Sequence, residues 1–147
     1  MNSYFDIGID EIEKIRNLWE ANRIYHVNTS KYFSKDYQSI NFDDRMKILF
    51  GLDKDTVKIT IAAEGNNYTG YCISKIVNGI GEILSIHVLE TSRGTGIGKE
   101  LANKHLNWMK EKHCTEIGVS VSYENESTIS FYRSLGFFPN TLSMKYS

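Results

Sequence analysis

Proline is nearly absent from this 147-residue chain, Pro139 being the only one, and no stretch is rich enough in Gly, Ser or Pro to act as a linker. No internal repeat or low-complexity segment is present either, so the chain reads as one domain, of ordinary single-domain length. Cysteine is equally scarce. Cys72 and Cys114 stand far apart in sequence, which matches neither the spacing of a metal site nor a disulfide framework, and both are expected to be small buried hydrophobes. No metal is expected. The chain has no excess charge of either sign, with 17 Lys and Arg against 18 Asp and Glu. The broad basic field that nucleic acid or an anionic membrane attracts is therefore missing. No apolar run approaches the roughly 20 residues needed to span a bilayer, and MNSYFDIGID lacks the basic start of a secretion signal. A cytoplasmic protein is expected.

What is present is enough apolar material for a core, 41% of residues. Between residues 9 and 27, Ile12, Ile15, Leu18, Trp19 and Ile24 recur at helical spacing, and a second helical stretch runs from Asp43 to Leu49 before Gly51. The pattern then changes. VKITIAA after Thr56, TGYCISKIV after the Gly65–Asn67 turn and GEILSIHVL after Asn78 and Gly79 predict three strands, the first two antiparallel. A helix from Gly96 to Lys112, a strand over Ile117–Val121 and a helix from Glu126 to Leu135 follow, with a last strand predicted over Phe137–Tyr146. Strand, helix, strand is a right-handed crossover, which predicts that Ile117–Val121 lies parallel to Ile83–Val88. The fold class is mixed α/β, with residues 1–55 as a helical region and 56–147 as the sheet-containing core.

Arg93, Gly94, Thr95, Gly96, Ile97, Gly98 and Lys99 lie at the junction of the third strand and its helix. Glycines there let a ligand approach the backbone, and the first N–H groups of a helix, having no internal partners, bind anions. Arg93 adds a positive fork, so the expected ligand is a pyrophosphate. The spacing fits neither other phosphate motif. A Walker A loop needs glycine at Arg93 and Ser or Thr at Glu100, and a dinucleotide fingerprint needs glycine at Lys99 or Leu101.

Arg93, Gly96 and Gly98 resemble the pyrophosphate loop of the GNAT superfamily of N-acetyltransferases: Arg or Gln, two residues, Gly, one residue, Gly or Ala. Asn125, Thr128, Tyr132, Gly136 and Phe137 resemble that superfamily's later motif, departing only in Thr128 where Ala is usual. The resemblance covers about residues 56–146. It implies a mostly antiparallel twisted sheet with a parallel, splayed pair of strands beside a β-bulge, flanked by helices. It further implies acetyl-CoA as co-substrate, with its pyrophosphate on the backbone of Gly94–Lys99, its pantetheine arm along Ile86, His87 and Val88, and Asn125 facing it. Residues 1–55 would help shape the acceptor site. A homodimer is expected only by analogy with the family.

Amine attack on a thioester needs a proton acceptor, because an amine of pKa about 10.4 is almost wholly protonated at neutral pH. Glu82, eleven residues before Arg93 where some members of the superfamily carry a catalytic glutamate, is the candidate base, acting directly or through water; a solvated strand start is the plain alternative. Tyr132 is the candidate acid for the departing thiolate, the alternative being a core tyrosine. His87 enters only through its backbone. Trp19, Tyr25, His26, Tyr32 and Phe33 either line the acceptor pocket or fill the core. Direct transfer to a primary amine in a ternary complex is the expected reaction, and an acyl-CoA sensor without turnover the alternative.

Overall fold

The computed structural model describes residues 1–146. A five-stranded sheet runs in the order β1-β2-β3-β4-β5: Asn2–Ile7, Val57–Glu64, Asn67–Val77, Ile80–Val88 and Glu116–Val119. The first four strands are antiparallel neighbours, and β4 and β5 are parallel. The crossover and the mixed α/β class are as expected. The β-branched run of β2 and the apolar middle of β3 are buried on both faces because helices cover both sides of the sheet.

One side is covered by the helical elements that precede β2. A 3-10 segment, Ile9–Ile15, leads into α1, Arg16–Thr29, and is followed by α2, Ser34–Ser39, and α3, Phe42–Met46. Ile12, Ile15, Leu18 and Trp19 form a stripe that packs with Phe42, Met46 and Leu49 over Ile59, Ile61, Tyr71 and Ile73. The helix predicted from residue 9 is thus broken into two pieces, with Glu11 at non-helical φ −108° inside the first. β1 and α2 were not anticipated. The other side is covered by α4, Ile97–Glu111, and α5, Glu126–Ser134. Leu101 and Met109 pack there on Ala62, Cys72 and Ile83, and truncating fully buried Leu101 to Ala would cost about 2–5 kcal/mol. The approach is close enough that a Cβ on Gly81, near the start of β4, would sit 2.7 Å from Met109 Sδ, which explains the glycine there.

The last strand predicted over Phe137–Tyr146 does not form. After the amide of Phe137 closes α5 on the Tyr132 carbonyl, residues 138–146 join no ladder. Pro139 has no N–H to give one, and Phe138, Leu142 and Met144 stand in solvent. Lys145 instead reaches Asp36 of α2 at 2.9 Å. Cys72 is buried and Cys114 half-buried, both as free thiols.

Candidate active site

β4 and β5 pair only from Ile80–Glu116 to Ile83–Val119. Beyond Ile83 the two strands part. On its other edge β4 shifts register against β3, with Ile73 opposite Ser85 but Ser74 opposite Ile83, so Leu84 is an extra residue. The bulge and the splay are those the resemblance implied, although the parallel register sits nearer the start of β4 than expected. A cavity of about 580 Å³ occupies the gap, between Leu84–Val88 on one wall and Val119–Ser122 on the other.

One end of the cavity is the glycine-rich turn. Gly94 and Gly96 take φ of 82° and 87°, a left-handed backbone that a side chain would strain, and Gly96 caps α4 with no side-chain partner for the helix end. The first bond within α4 runs from Glu100 N to Gly96 O, leaving the N–H groups of Ile97, Gly98 and Lys99 without helical acceptors. Arg93 Nε donates to the Val88 carbonyl at 2.9 Å, and its guanidinium carbon lies 5.1 Å from the centre of the Tyr25 ring. The arginine is thereby held at the mouth of the site. This donor set suits a doubly charged phosphate chain.

At the other end is Tyr132, 4% exposed between Phe131 and Phe137. Among the described residues no hydrogen bond holds its hydroxyl, yet that oxygen is not a sealed orphan, so it meets the open cavity. Burial, with smaller effects of Cys72 and Tyr71, raises its pKa, keeping the phenol protonated at neutral pH. It is a donor in waiting. Asn125 caps α5 by accepting from Thr128 N at 3.2 Å and lines the cavity.

Ile86, His87, Val88, Arg93, Gly94, Gly96, Ile97, Gly98, Lys99, Asn125 and Tyr132 therefore share one cavity. Thr95 and Glu82 are outside its lining. Thr95 turns its hydroxyl back to the Ser92 carbonyl at 2.9 Å. Glu82 lies opposite Lys75 of β3, with its carboxylate 3.9 Å from that amine. Of the aromatic group, Tyr25 and His26 line the cavity, Trp19 is core against Phe42, and Tyr32 is exposed. Asn22, Ser85, Ser120 and Ser122 also line it, and sequence reasoning missed them. Ser120 was hidden by predicting strand as far as Val121.

The family model described as the acetyltransferase (GNAT) family matches residues 13–137. The chain belongs to that family. Its fold is shared with solved structures at low sequence identity. A tetramutant of the BH1408 protein from Bacillus halodurans superposes with TM-score 0.76 at 17% identity, over 99% of both chains. The aminoglycoside N-acetyltransferase AAC(6')-Iy in complex with CoA does so with TM-score 0.65 at 18% identity, over 99% of this chain and 98% of that one. At those identities the likeness is one of fold. In sequence, this GNAT chain is 32% identical over 66 residues to N-alpha-acetyltransferase 30 of Saccharomyces cerevisiae, a stretch covering 45% of this chain and 38% of that enzyme.

Proposed function

We propose that this GNAT chain transfers the acetyl group of acetyl-CoA to a primary amine by direct attack in a ternary complex. The observation that carries this is the single cavity joining the unpartnered N–H groups of Ile97, Gly98 and Lys99 to the unpartnered Tyr132 hydroxyl. The turn binds the pyrophosphate, with Arg93 as counter-charge. The arm of the coenzyme lies along Ile86, His87 and Val88 in the splay, beside Asn125. Tyr132 then protonates the departing thiolate. Glu82 lies beyond the lining, with its carboxylate turned to Lys75.

An acetyl-enzyme on cysteine is disfavoured. Cys72 is fully buried, and burial pushes its thiol pKa up, which removes the thiolate. The acceptor carries one positive charge rather than several, because no Asp or Glu lines the cavity while Arg93 and Lys99 do. A polycationic aminoglycoside, the substrate class in the name of one structural neighbour, would find no carboxylate there. An amine on an aromatic or neutral body suits Asn22, Tyr25 and His26 better.

Calorimetric titration with acetyl-CoA, wild type against Gly96→Glu, tests the coenzyme site. Binding lost in the variant supports it, and a folded wild type that does not bind refutes it.

A further inference from the structure

No carboxylate lines the cavity among the described residues, so a group able to take a proton from an amine there must be something other than Asp or Glu. Arg93 and Lys99 carry positive charge, the Tyr25 ring lies under the Arg93 guanidinium, and burial keeps the Tyr132 phenol protonated. Two imidazoles remain, His26 and His87. His26 is stacked flat on Tyr37, ring centres 4.8 Å apart, toward α2. His87 stands on β4 itself, between Ile86 and Val88, whose backbone borders the splay.

The His87 side chain is 8% exposed, and no hydrogen bond holds its ring among the described residues. Neither ring nitrogen is a sealed orphan, and the residue borders the cavity. A buried histidine in a structural role usually has its nitrogens satisfied, as His105 does by Thr60 and Ser74. The bulge at Leu84 turns Ser85 and His87 to the α1 side, where Ser85 bonds Tyr71 and the His87 ring lies 6.4 Å from that of Tyr25. This is the acceptor side of the coenzyme's path.

Given acetyl transfer, on which this rests, we propose that His87 is the group that accepts the proton of the attacking amine, in place of Glu82. The nitrogen lone pair forms the C–N bond to the thioester carbonyl as the carbonyl electrons move to oxygen. The N–H proton passes to the free nitrogen of His87. Collapse breaks the C–S bond, and the thiolate takes the proton of Tyr132. The imidazolium proton then returns through solvent to the Tyr132 phenolate, leaving amide, free thiol and both side chains as they began.

Burial, reinforced by the charge of Arg93 and by His26, lowers the His87 pKa to about 4 in the free protein. The groups facing it are Tyr25 and His26 of α1, Tyr71 of β3 and Arg93. A pyrophosphate on Arg93 offsets that cation's repulsion, so His87 becomes more basic when coenzyme is bound. The acid limb of kcat is therefore expected above the free-protein value.

The test follows free-thiol release from acetyl-CoA with phenethylamine, benzylamine, tyramine and glycinamide, for wild type, His87→Gln and Glu82→Gln, with acetyl-CoA affinity measured for each. His87→Gln is expected to lower kcat for the best amine by about 10²-fold or more and to abolish the acid limb, with acetyl-CoA affinity retained. Glu82→Gln is expected to stay within about threefold of wild type. A His87→Gln kcat within that margin overturns the proposal, and a loss in Glu82→Gln instead gives the role to Glu82. If His87→Gln no longer binds acetyl-CoA, the wild-type profile decides: an acid limb in kcat above the free-protein value supports His87, and a flat profile overturns it. A wild type that binds acetyl-CoA but turns over no amine ends acetyl transfer and this role together.

Discussion

Ser30 donates its hydroxyl to the Glu124 carboxylate at 2.7 Å, tying the loop after α1 to the loop before α5. The same carboxylate accepts from the backbone N–H of Lys31 at 2.6 Å and of Tyr32 at 3.3 Å. Its chain neighbour, Asn125, faces the cavity. The loop after α1 is thus strapped to the residue beside the α5 cap. Glu124→Gln, which keeps one acceptor oxygen without the charge, should raise the acceptor KM several-fold while leaving acetyl-CoA affinity near wild type. Steady-state kinetics read the split, and faster amide exchange at residues 31–33 should accompany it. The Ser30 bond, then the backbone bonds, lower the Glu124 pKa, though partial desolvation opposes them. The strap is accordingly intact above the usual carboxylate range and is lost as pH falls through the lowered value.

Tyr132→Phe removes an oxygen that no group among the described residues holds and keeps the ring that packs on Phe131 and Phe137. Stability should change little, because no hydrogen-bond partner is orphaned. Turnover should fall by about 10²-fold or more, the usual share of a positioned acid. Acetyl-CoA titration should be unaltered. Equal loss of turnover and of coenzyme affinity would mean that the tyrosine only shapes the cavity.

The coenzyme half of the site was legible because it is local. Arg93, Gly96 and Gly98 do their work within one turn, and the cap at Asn125 and the tyrosine seven residues on lie on one short helix. The rest depends on distant pairings. Whether His87 or Glu82 reaches the cavity is decided by the bulge at Leu84 and by where β5 leaves β4, and neither leaves a mark in the residue pattern. β1 was missed because NSYFDI, at the sheet edge, keeps Asn2, Ser3 and Asp6 and buries only Ile7. Phe137–Tyr146 misled in the opposite way, since its apolar residues suggested a strand that the structure leaves unpaired.

Gly96 and Gly98 should respond differently to the same substitution. Gly96 needs φ of 87°, so Gly96→Ala strains the turn by about 1–2 kcal/mol although nothing lies within 4 Å of the added carbon. Gly98 has no such backbone demand, and its Cβ would meet Phe131 at 3.5 Å, an ordinary contact. Gly98→Ala should therefore keep the melting temperature and coenzyme affinity near wild type. Gly96→Ala should melt lower by about 2–8 °C and bind more weakly. Equal behaviour of the two variants would contradict the left-handed turn.

On the face of the sheet away from the acceptor, His105 is fully buried between two hydroxyls. Thr60 gives its only proton to Asp6 at 2.6 Å, so His105 Nε2, 2.9 Å away, must donate to Thr60. Nδ1 then accepts from Ser74 at 2.7 Å, and the neutral ring is satisfied as it stands. Burial, followed by the charge of Lys58 and against the pull of Asp6, lowers the His105 pKa to about 3. In the unfolded chain the ring titrates near its ordinary value. Between those two values only the unfolded state takes up the proton, so stability falls as pH falls. From pH 7 to pH 5 this histidine alone should remove about 2 kcal/mol, readable as a lower urea midpoint. His87, also held neutral by burial, adds a slope of the same sign. His105→Gln should be less stable at pH 7, where it loses a fitted pair of bonds, and should show a shallower fall toward pH 5. A variant as steep as wild type would place the proton uptake on another group.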